Sequence, residues 1–213
     1  MSQRDWNAHY AADELPWDTG EPEPALVQWL NQHTRARGRA LEIGCGTGTN
    51  ALWLAAHGYH VLGLDLAPLA IDKARAKHPG EAGQRCEFRV HDFLNGEPLS
   101  GSFALVFDRG CFHVFEEPSE QARFAQRVAA VLAPGGQWLS LIGSTEGAAR
   151  EFGPPRRTAR EIIDALEPSL ELVSLSATTF PLAPNMPAAK AWVCLSRRRD
   201  EPAQPSTRWV GQG

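Results

Sequence analysis

One glycine-rich stretch has residue types and a spacing suited to binding a ligand at a sharp turn. Its pattern is E-x-G-x-G-x-G, formed by Glu42, Gly44, Gly46 and Gly48. Glycines let the backbone turn and approach a ligand without clashes of Cβ atoms, and a helix that begins after them would offer free N–H groups. The dinucleotide pattern G-x-G-x-x-G would need a glycine in place of Thr49, and no Lys-Ser/Thr pair follows to complete a Walker A loop.

An acidic residue, Asp65, stands about twenty positions after the first of these glycines, at the end of the next apolar run. A carboxylate in that place can accept hydrogen bonds from the ribose hydroxyls of an adenosine-containing ligand. The alternative is that Asp65 caps a helix beginning near Pro68. Because loop, helix, strand and acid follow one another in this order, we expect Asp65 to bind ribose.

The segment 108–113, Asp-Arg-Gly-Cys-Phe-His, follows another apolar run and offers groups that could act on a second substrate. The carboxyl ends of the strands in a doubly wound sheet face the ligand crevice, so this segment should lie beside the glycine loop. His113 could act as a general base for an oxygen or nitrogen nucleophile. A single histidine among apolar neighbours is more often structural, and both interpretations stay open.

Short apolar runs alternate with helical patterns, and these elements must position the residues above. We predict strands over 40–43, 60–65, 86–90, 103–107 and 137–142, with helices over 24–32, 50–57, 68–78 and 119–132. A further helix over 158–166 precedes strands 170–176 and 189–196, which a proline-rich loop joins. Such alternation predicts an α/β fold, Rossmann-like and doubly wound, with a mostly parallel seven-stranded sheet and an antiparallel edge hairpin.

Bulk composition limits the function classes. The 213 residues suffice for one α/β domain, and a net charge of −4 argues against nucleic acid as a partner. The four cysteines form no CxxC pair, and no histidine stands at zinc-ligand spacing, so we expect no metal site. No secretion signal and no apolar run of bilayer-spanning length are present, and we expect a cytoplasmic protein that does not bind membranes.

The glycine pattern and its acidic partner resemble the class I S-adenosylmethionine-dependent methyltransferases. The resemblance implies that S-adenosylmethionine is the cofactor, with Glu42 ordering the loop and the methionine end, and Asp65 holding the ribose. It also implies that Asp92, after the third strand, contacts the adenine amino group and that Phe93 contacts its ring. A turn aspartate is the alternative for Asp92. The full set of expected cofactor-binding residues is Trp17, Glu42, Gly44, Cys45, Gly46, Gly48, Asp65, Leu66, Asp92, Phe93 and Asp108.

Three further segments resemble the thiopurine and thiol S-methyltransferases, together with the halide and tellurite methyltransferases. They are Asp108-Arg109-Gly110, Gly153-Pro154-Pro155, and the tryptophan-containing front segment that ends at Gly20. The resemblance implies a lid over residues 1–20 whose Trp17 covers the cofactor. It also implies that Arg109 lies beside the cofactor carboxylate or an acidic acceptor. The expected domains are this lid, a methyltransferase domain over 21–196 and a disordered tail over 197–213.

The expected reaction is methyl transfer to a small-molecule acceptor, foremost a thiol or another soft nucleophile. A thiol needs no strong base, because a thiol of pKa about 8.5 is partly ionised near neutral pH. Arg109 and His113 are the candidate catalytic residues. The alternatives are an O- or N-methyltransferase that uses His113 as its base, and a non-catalytic module of the same fold that binds the cofactor or RNA. The motif Asn/Asp-Pro-Pro-aromatic of nucleobase and amide methyltransferases is absent.

Overall fold

A computed structural model describes residues 5–33, 38–77, 84–147, 153–181 and 189–199. Its strands are β1 Arg39–Ile43, β2 His60–Asp65, β3 Cys86–Val90, β4 Phe103–Arg109, β5 Leu132–Gly143, β6 Leu170–Phe180 and β7 Ala189–Arg198. Its α-helices are α1 Trp6–Ala12, α2 Pro24–Gln32, α3 Thr49–Ala56, α4 Pro68–Lys77, α5 Pro118–Val131 and α6 Ala159–Leu166, and a 3-10 turn spans Phe112–Val114. None of these helices has both the length and the apolarity needed to cross a membrane.

The strands form one sheet in the order β3-β2-β1-β4-β5-β7-β6. Strands β1 to β5 run parallel, while β7 is antiparallel to both β5 and β6. This order confirms the predicted doubly wound sheet with an antiparallel edge hairpin. The strand order reverses between β1 and β4, and ligands of such sheets bind outside the carboxyl ends of the strands at a reversal. The glycine loop and segment 108–113 both lie at that place.

Both faces of the central sheet are covered, because neighbouring residues of a strand point to opposite sides. On one face Leu41 packs in a cluster with Phe124 of α5, and on the other Ala40 packs in a cluster with Leu54 of α3. All four side chains are fully buried. The helices therefore fix β1 and β4 from both sides, which gives the residues at their carboxyl ends a rigid support.

Strand β5 begins earlier than the sequence pattern predicts. It starts at Leu132, whereas the sequence predicts a strand over 137–142. The added residues include Pro-Gly-Gly at 134–136, a sequence typical of a turn. The structure keeps these residues inside the strand as an irregularity, with Gly135 at a φ of 69° and a register shift in the pairing with β4. The turn signal therefore marks a local break in regular pairing and not a separate loop.

The last strand continues past residue 196, which corrects the predicted start of a disordered tail at 197. Arg197 forms an ion pair with Glu171 of β6 (2.7 Å), and Arg198 donates a hydrogen bond to the carbonyl of Leu132 (2.6 Å). Because both arginines make cross-strand contacts, they belong to the sheet. The rest of the predicted tail, 200–213, and the proline-rich loop 182–188 lie outside the described residues.

The front segment contains a helix that the sequence pattern did not predict. Helix α1 begins after Asp5, whose carboxylate accepts a hydrogen bond from the N–H of Ala8 (3.0 Å). The amide oxygen of Asn7 accepts the N–H of Leu69 at the start of α4 (3.0 Å), and the Tyr10 ring is buried. A seven-residue helix is too short to be stable alone, so contacts with α4 must supply its stability.

Candidate active site

The loop after β1 is held by the carboxylate that ends β2. Asp65 accepts a hydrogen bond from the N–H of Gly46 through Oδ2 (2.9 Å) and one from the N–H of Ala67 through Oδ1 (2.9 Å). Gly44, Gly46 and Gly48 have φ angles of 69°, 54° and 82°, a region that favours glycine. Burial raises the pKa of Asp65, and the two backbone N–H groups act in the opposite direction. The structure thus brings together the loop and the acid that the sequence singled out.

Neighbouring side chains also require two of these glycines. A Cβ on Gly48 would lie 2.6 Å from the ring of Phe88, and a Cβ on Gly44 would lie 3.2 Å from the Cβ of Cys111. The loop therefore touches the segment after β4 directly. Cys45 is buried, and its N–H donates to a carbonyl of β2 (2.8 Å). Cys45 thus ties the loop to the sheet through its backbone.

Glu42, one residue before the end of β1, is a buried carboxylate with a hydrogen bond from the described residues to only one of its two oxygens. Its Oε1 accepts a hydrogen bond from the amide of Asn50 (3.1 Å), while its buried Oε2 has no hydrogen-bond donor among the described residues. Burial raises the pKa of Glu42 to about 8, and the Asn50 hydrogen bond lowers it in part. An orphaned carboxylate oxygen of this kind fits a positively charged ligand group, because such a group would stabilise its ionised form.

The surface beside Asp65 fits an adenosine group. Leu66 is 40% exposed and Val90, the register partner of Asp65 on β3, is 49% exposed. They are two of the three large apolar side chains that stand out as exposed in the described part of the chain. Apolar surface next to a carboxylate is what a purine ring with its ribose would cover. The residues present therefore fit S-adenosylmethionine, which combines adenosine with a cationic methionine part.

The carboxyl group of Glu42 should make stability depend on pH. A folded-state pKa of about 8 against 4.5 for the ordinary group means that the folded protein binds the extra proton between these values. Its contribution to stability is present below pH 4.5 and is lost as pH rises toward 8. Replacement by glutamine removes this loss. The variant's unfolding free energy relative to wild type should therefore rise by at least about 1 kcal/mol between pH 5 and pH 8.

Urea denaturation at a series of pH values measures this difference. Glu87→Gln is the matched control, since Arg89 holds the pKa of the exposed Glu87 below its ordinary value. The difference in unfolding free energy between Glu87→Gln and wild type should not change with pH above pH 5. If the Glu42→Gln difference is equally flat, Glu42 is ionised throughout and the assigned pKa is wrong.

Asp92 and Phe93 follow β3, but their contacts are local. Asp92 accepts the N–H groups of Leu94 (3.0 Å) and Asn95 (2.9 Å) through Oδ1, and the side-chain amide of Asn95 through Oδ2 (3.1 Å). These bonds match the turn-aspartate alternative. The Phe93 ring is 6% exposed and packs against Phe124 at a centroid distance of 5.1 Å. Phe93 therefore packs in the core, and its expected contact with the adenine ring stays a prediction.

Asp108 is fully buried, and its carboxylate accepts hydrogen bonds from within the protein. Its Oδ1 accepts the N–H groups of Cys111 and Phe112 (both 3.0 Å), and its Oδ2 accepts the indole N–H of Trp138 (2.9 Å). Burial raises the pKa of this carboxyl, and these hydrogen bonds lower it. Asp108 thus shapes the chain between β4 and the 3-10 turn, and its direct contact with the cofactor stays a prediction.

Arg109 joins four parts of the chain. Its Nε forms an ion pair with Glu23 at the start of α2 (2.8 Å), and the Glu23 side chain is 3% exposed. Its two Nη atoms donate to the carbonyls of Trp17 (3.0 Å) and Pro181 (2.5 Å). The guanidinium also lies over the Phe180 ring at 5.3 Å. The charge expected to meet the cofactor carboxylate or an acidic acceptor is thus already paired within the protein.

His113 lies in the 3-10 turn and is buried. Its Nδ1 accepts the backbone N–H of Gly143 (2.8 Å). This hydrogen bond assigns the proton of the neutral ring to Nε2. The ring packs edge-on against Phe180 at a centroid distance of 5.7 Å. The structure therefore gives His113 a structural contact with the end of β5, at the edge of the sheet where the acceptor is expected.

The front segment lies over the glycine loop. The half-buried Trp17 packs edge-on against Tyr10 (6.4 Å between ring centroids), and the Tyr10 hydroxyl lies 3.0 Å from where a Cβ on Gly46 would stand. Asp18 accepts a hydrogen bond from the Thr47 hydroxyl of the same loop (2.6 Å). The predicted lid residue Trp17 is thus brought to the site, within an aromatic group that covers the loop.

Three polar residues near the site were not predicted: Glu23, Asn50 and Arg157. The Asn50 amide links two elements, since it donates to Glu42 and accepts the N–H of Glu23 (2.8 Å). Its place directly after the glycine pattern could have indicated this role. The role of Glu23 could not be predicted from neighbouring residues, because its partner Arg109 is distant in the sequence.

Comparison with known proteins identifies a family for this chain. The family model for thiopurine S-methyltransferase matches residues 1–186. Probable thiol methyltransferase 2 of Arabidopsis thaliana is 33% identical over 151 residues, which are 70% of this chain and 65% of that protein. A 2-heptyl-1-hydroxyquinolin-4(1H)-one methyltransferase of Mycobacteroides abscessus is 30% identical over 127 residues, 60% of this chain and 55% of that protein. In both cases the chain spans less than two thirds of the relative's length.

The chain is also similar to a solved structure. The protein described under "Conversion of a Disulfide Bond into a Thioacetal Group during Echinomycin Biosynthesis" is 30% identical to this chain, with a TM-score of 0.72. The match covers 86% of this chain and 84% of the other. The similarity therefore extends over the sheet and the strand ends that carry the site.

Proposed function

Because the chain belongs to the thiopurine S-methyltransferase family, we propose that it moves the methyl group of S-adenosylmethionine to the sulfur of a small thiol or to a similarly soft nucleophile. One observation carries the choice of a soft acceptor. Nδ1 of His113 accepts the N–H of Gly143, so the neutral ring has its proton on Nε2 and is not arranged as a base. A thiol needs none, because its thiolate is present near neutral pH.

Placement of the two reactants would supply most of the rate. When bound, S-adenosylmethionine supplies a methyl group on a positively charged sulfur, a good leaving group for in-line displacement. The carboxylates of Glu42 and Asp65 would hold its cationic and ribose parts, and Leu66 would support the adenine. Cys111 touches the loop at Gly44 and would line the acceptor side. Held at bonding distance, the reactants avoid most of the entropic cost of encounter.

The front segment would act as the lid of this site. Tyr10 and Trp17 lie over the glycine loop, and Asp18 fastens the segment to Thr47. Lys77 of α4 donates to the same hydroxyl. A cover of this kind excludes water and strengthens the electrostatic contacts beneath it. Opening and closing of the segment would admit the cofactor and commit the acceptor.

A second candidate is methyl transfer to oxygen with His113 as base. The similarity to a hydroxyquinolinone methyltransferase supports it, as does the place of His113 after β4. It requires the ring to give up the hydrogen bond from Gly143, because the ring must either accept the substrate proton at Nδ1 or first move its own proton to Nδ1 and then accept at Nε2. A thiol acceptor requires neither change, which is why we favour it.

Benzenethiol and phenol distinguish the two candidates. We expect wild-type protein with labelled S-adenosylmethionine to methylate benzenethiol and to leave phenol nearly unchanged. The variant His113→Ala should lose less activity on the thiol than the roughly 100-fold expected on removal of a general base. His60→Ala, an exposed histidine at the opposite end of the sheet, is the control variant.

Since His113 is buried, a second measurement protects the test against misfolding of the variant. In wild-type protein the rate on thiols of different acidity should rise with pH up to the pKa of each thiol. A rate that follows one enzyme group for every thiol, or phenol methylation that disappears with His113, would establish the histidine-base mechanism instead.

A further inference from the structure

The segment between β5 and α6 contains a buried arginine that forms no ion pair within the described residues. Arg157 is 8% exposed, and within the described ranges no acid lies at ion-pair distance from its guanidinium. Glu161, the acid that follows it most closely, is occupied in capping α6 through the N–H and hydroxyl of Thr158 (both 2.7 Å). An unpaired buried charge is costly, so its presence calls for an explanation.

The guanidinium uses only part of its hydrogen-bonding capacity. Nη1 donates to the carbonyl of Arg156 (2.8 Å) and Nη2 to the carbonyl of Phe115 (2.5 Å). Nε is buried and has no acceptor in the described part of the chain. A guanidinium carries five N–H donors in a fork that matches a carboxylate. The Nε–Nη edge therefore retains donors for a second, anionic partner.

Arg157 lies at the acceptor end of the sheet. The Arg157 backbone forms a parallel β-bridge with Ser144, directly after β5. The N–H of Arg157 donates to the carbonyl of Gly143 (2.7 Å). The N–H of the same Gly143 holds His113. The guanidinium then reaches across to Phe115, after the 3-10 turn. Arg157 thus spans the two chain segments that follow β4 and β5, where ligands of doubly wound sheets bind.

The two arginines of this region differ in one respect. Arg109 is paired with the buried carboxylate of Glu23 at 2.8 Å. Among the described residues Arg157 has no carboxylate at ion-pair distance, and its charge acts on Glu161 only from farther away. The cofactor side is rich in acids, with Glu42 and Asp65 buried at the ends of β1 and β2. In the described part of the chain, the acceptor side thus holds a buried guanidinium without an ion-pair partner, which is complementary to a negatively charged substrate.

We propose that Arg157 binds a carboxylate or similar anionic group of the methyl acceptor and selects anionic acceptors over neutral ones. The inference rests on the proposed methyl transfer and names the substrate class of that site. The acceptor anion takes the Nε–Nη edge of the guanidinium, while the bonds to the two backbone carbonyls keep the fork in place.

The test compares 4-mercaptobenzoate with 4-mercaptobenzamide, thiols of similar shape that differ in charge. With labelled S-adenosylmethionine, wild-type protein should have the lower KM for the benzoate. Arg157→Gln should raise that KM by about 10- to 100-fold, change the KM for the benzamide by less than about threefold, and leave kcat on both nearly intact. For the benzoate, the KM of Arg157→Lys should lie between those of wild type and Arg157→Gln. Arg160→Gln removes the same charge from an exposed site on α6 and should behave as wild type.

A structural role alone would act on both thiols equally, so a parallel rise of both KM values in Arg157→Gln would overturn the inference. Binding provides a readout that does not depend on turnover. With S-adenosylhomocysteine present, 4-mercaptobenzoate should raise the Tm of wild type but not of Arg157→Gln, and an equal rise in both contradicts the role of Arg157. If neither thiol is methylated while this difference in Tm is found, the proposed thiol chemistry fails and the anion site stands.

Discussion

Replacing Arg109 with alanine is expected to lower the free energy of unfolding by about 3–5 kcal/mol. The reason is the carboxylate of Glu23, which is 3% exposed and would stay buried without its partner. The same change removes the donors to the carbonyls of Trp17 and Pro181, so the lid and the edge hairpin lose a shared support. Methyl transfer should therefore fall as well. Urea denaturation, followed by tryptophan fluorescence, measures the stability loss.

Two control variants isolate the buried charge. Asp13→Asn breaks the exposed ion pair with Lys73 (2.5 Å) and should leave the free energy of unfolding nearly unchanged, because solvent screens the pair. The double variant Arg109→Met with Glu23→Gln removes both charges of the buried pair, and it should recover most of the loss caused by Arg109→Ala. A loss below about 1 kcal/mol for Arg109→Ala itself would show that solvent reaches Glu23 easily and that the pair is not a structural support.

Replacing Asp65 with alanine should weaken the binding of S-adenosylmethionine by about 10- to 100-fold, or about 1.5–3 kcal/mol. Two losses combine in this value. The ribose would lose a charged acceptor, and the N–H of Gly46 would lose the carboxylate that fixes the glycine loop (2.9 Å). Titration calorimetry on the folded protein gives the dissociation constant directly.

Asp72→Ala is the control for Asp65→Ala, because it removes the same charge from an exposed position on α4. Its cofactor affinity should match that of wild type. A circular dichroism spectrum and a denaturation curve of Asp65→Ala show whether the loop change has spread to the fold. Wild-type affinity in a folded Asp65→Ala protein would exclude this carboxylate from the cofactor site.

The sheet and the glycine loop could be predicted because their signals are local. Strands β1 and β2 are apolar on both faces, as central parallel strands must be, and positive φ angles at Gly44, Gly46 and Gly48 leave a direct mark on the sequence. The doubly wound order follows from alternation of strands and helices. The sequence pattern did not predict helix α1, because the helix is short and acquires its stability from contacts such as that of Asn7 with α4.

The roles of charged residues were harder to predict, because they depend on partners distant in the sequence. Arg109 resembles a ligand-binding arginine until Glu23 is found beside it. Asp108 resembles a site carboxylate until Trp138 and two backbone N–H groups are found to occupy it. Sequence spacing places such residues at a strand end, but the hydrogen bonds that decide their function form only in the folded protein.

The position of β7 also has a consequence for biosynthesis. This strand comes after all the other described strands in the sequence, yet it lies between β5 and β6 and pairs with β5 from Gln137 to Gly143. Until it leaves the ribosome, β5 is an open edge that carries the apolar residues Leu139, Leu141 and Ile142. Unpaired apolar edges invite pairing with other chains. Chains truncated before residue 189 should therefore aggregate and need chaperones, even though they contain every candidate cofactor residue.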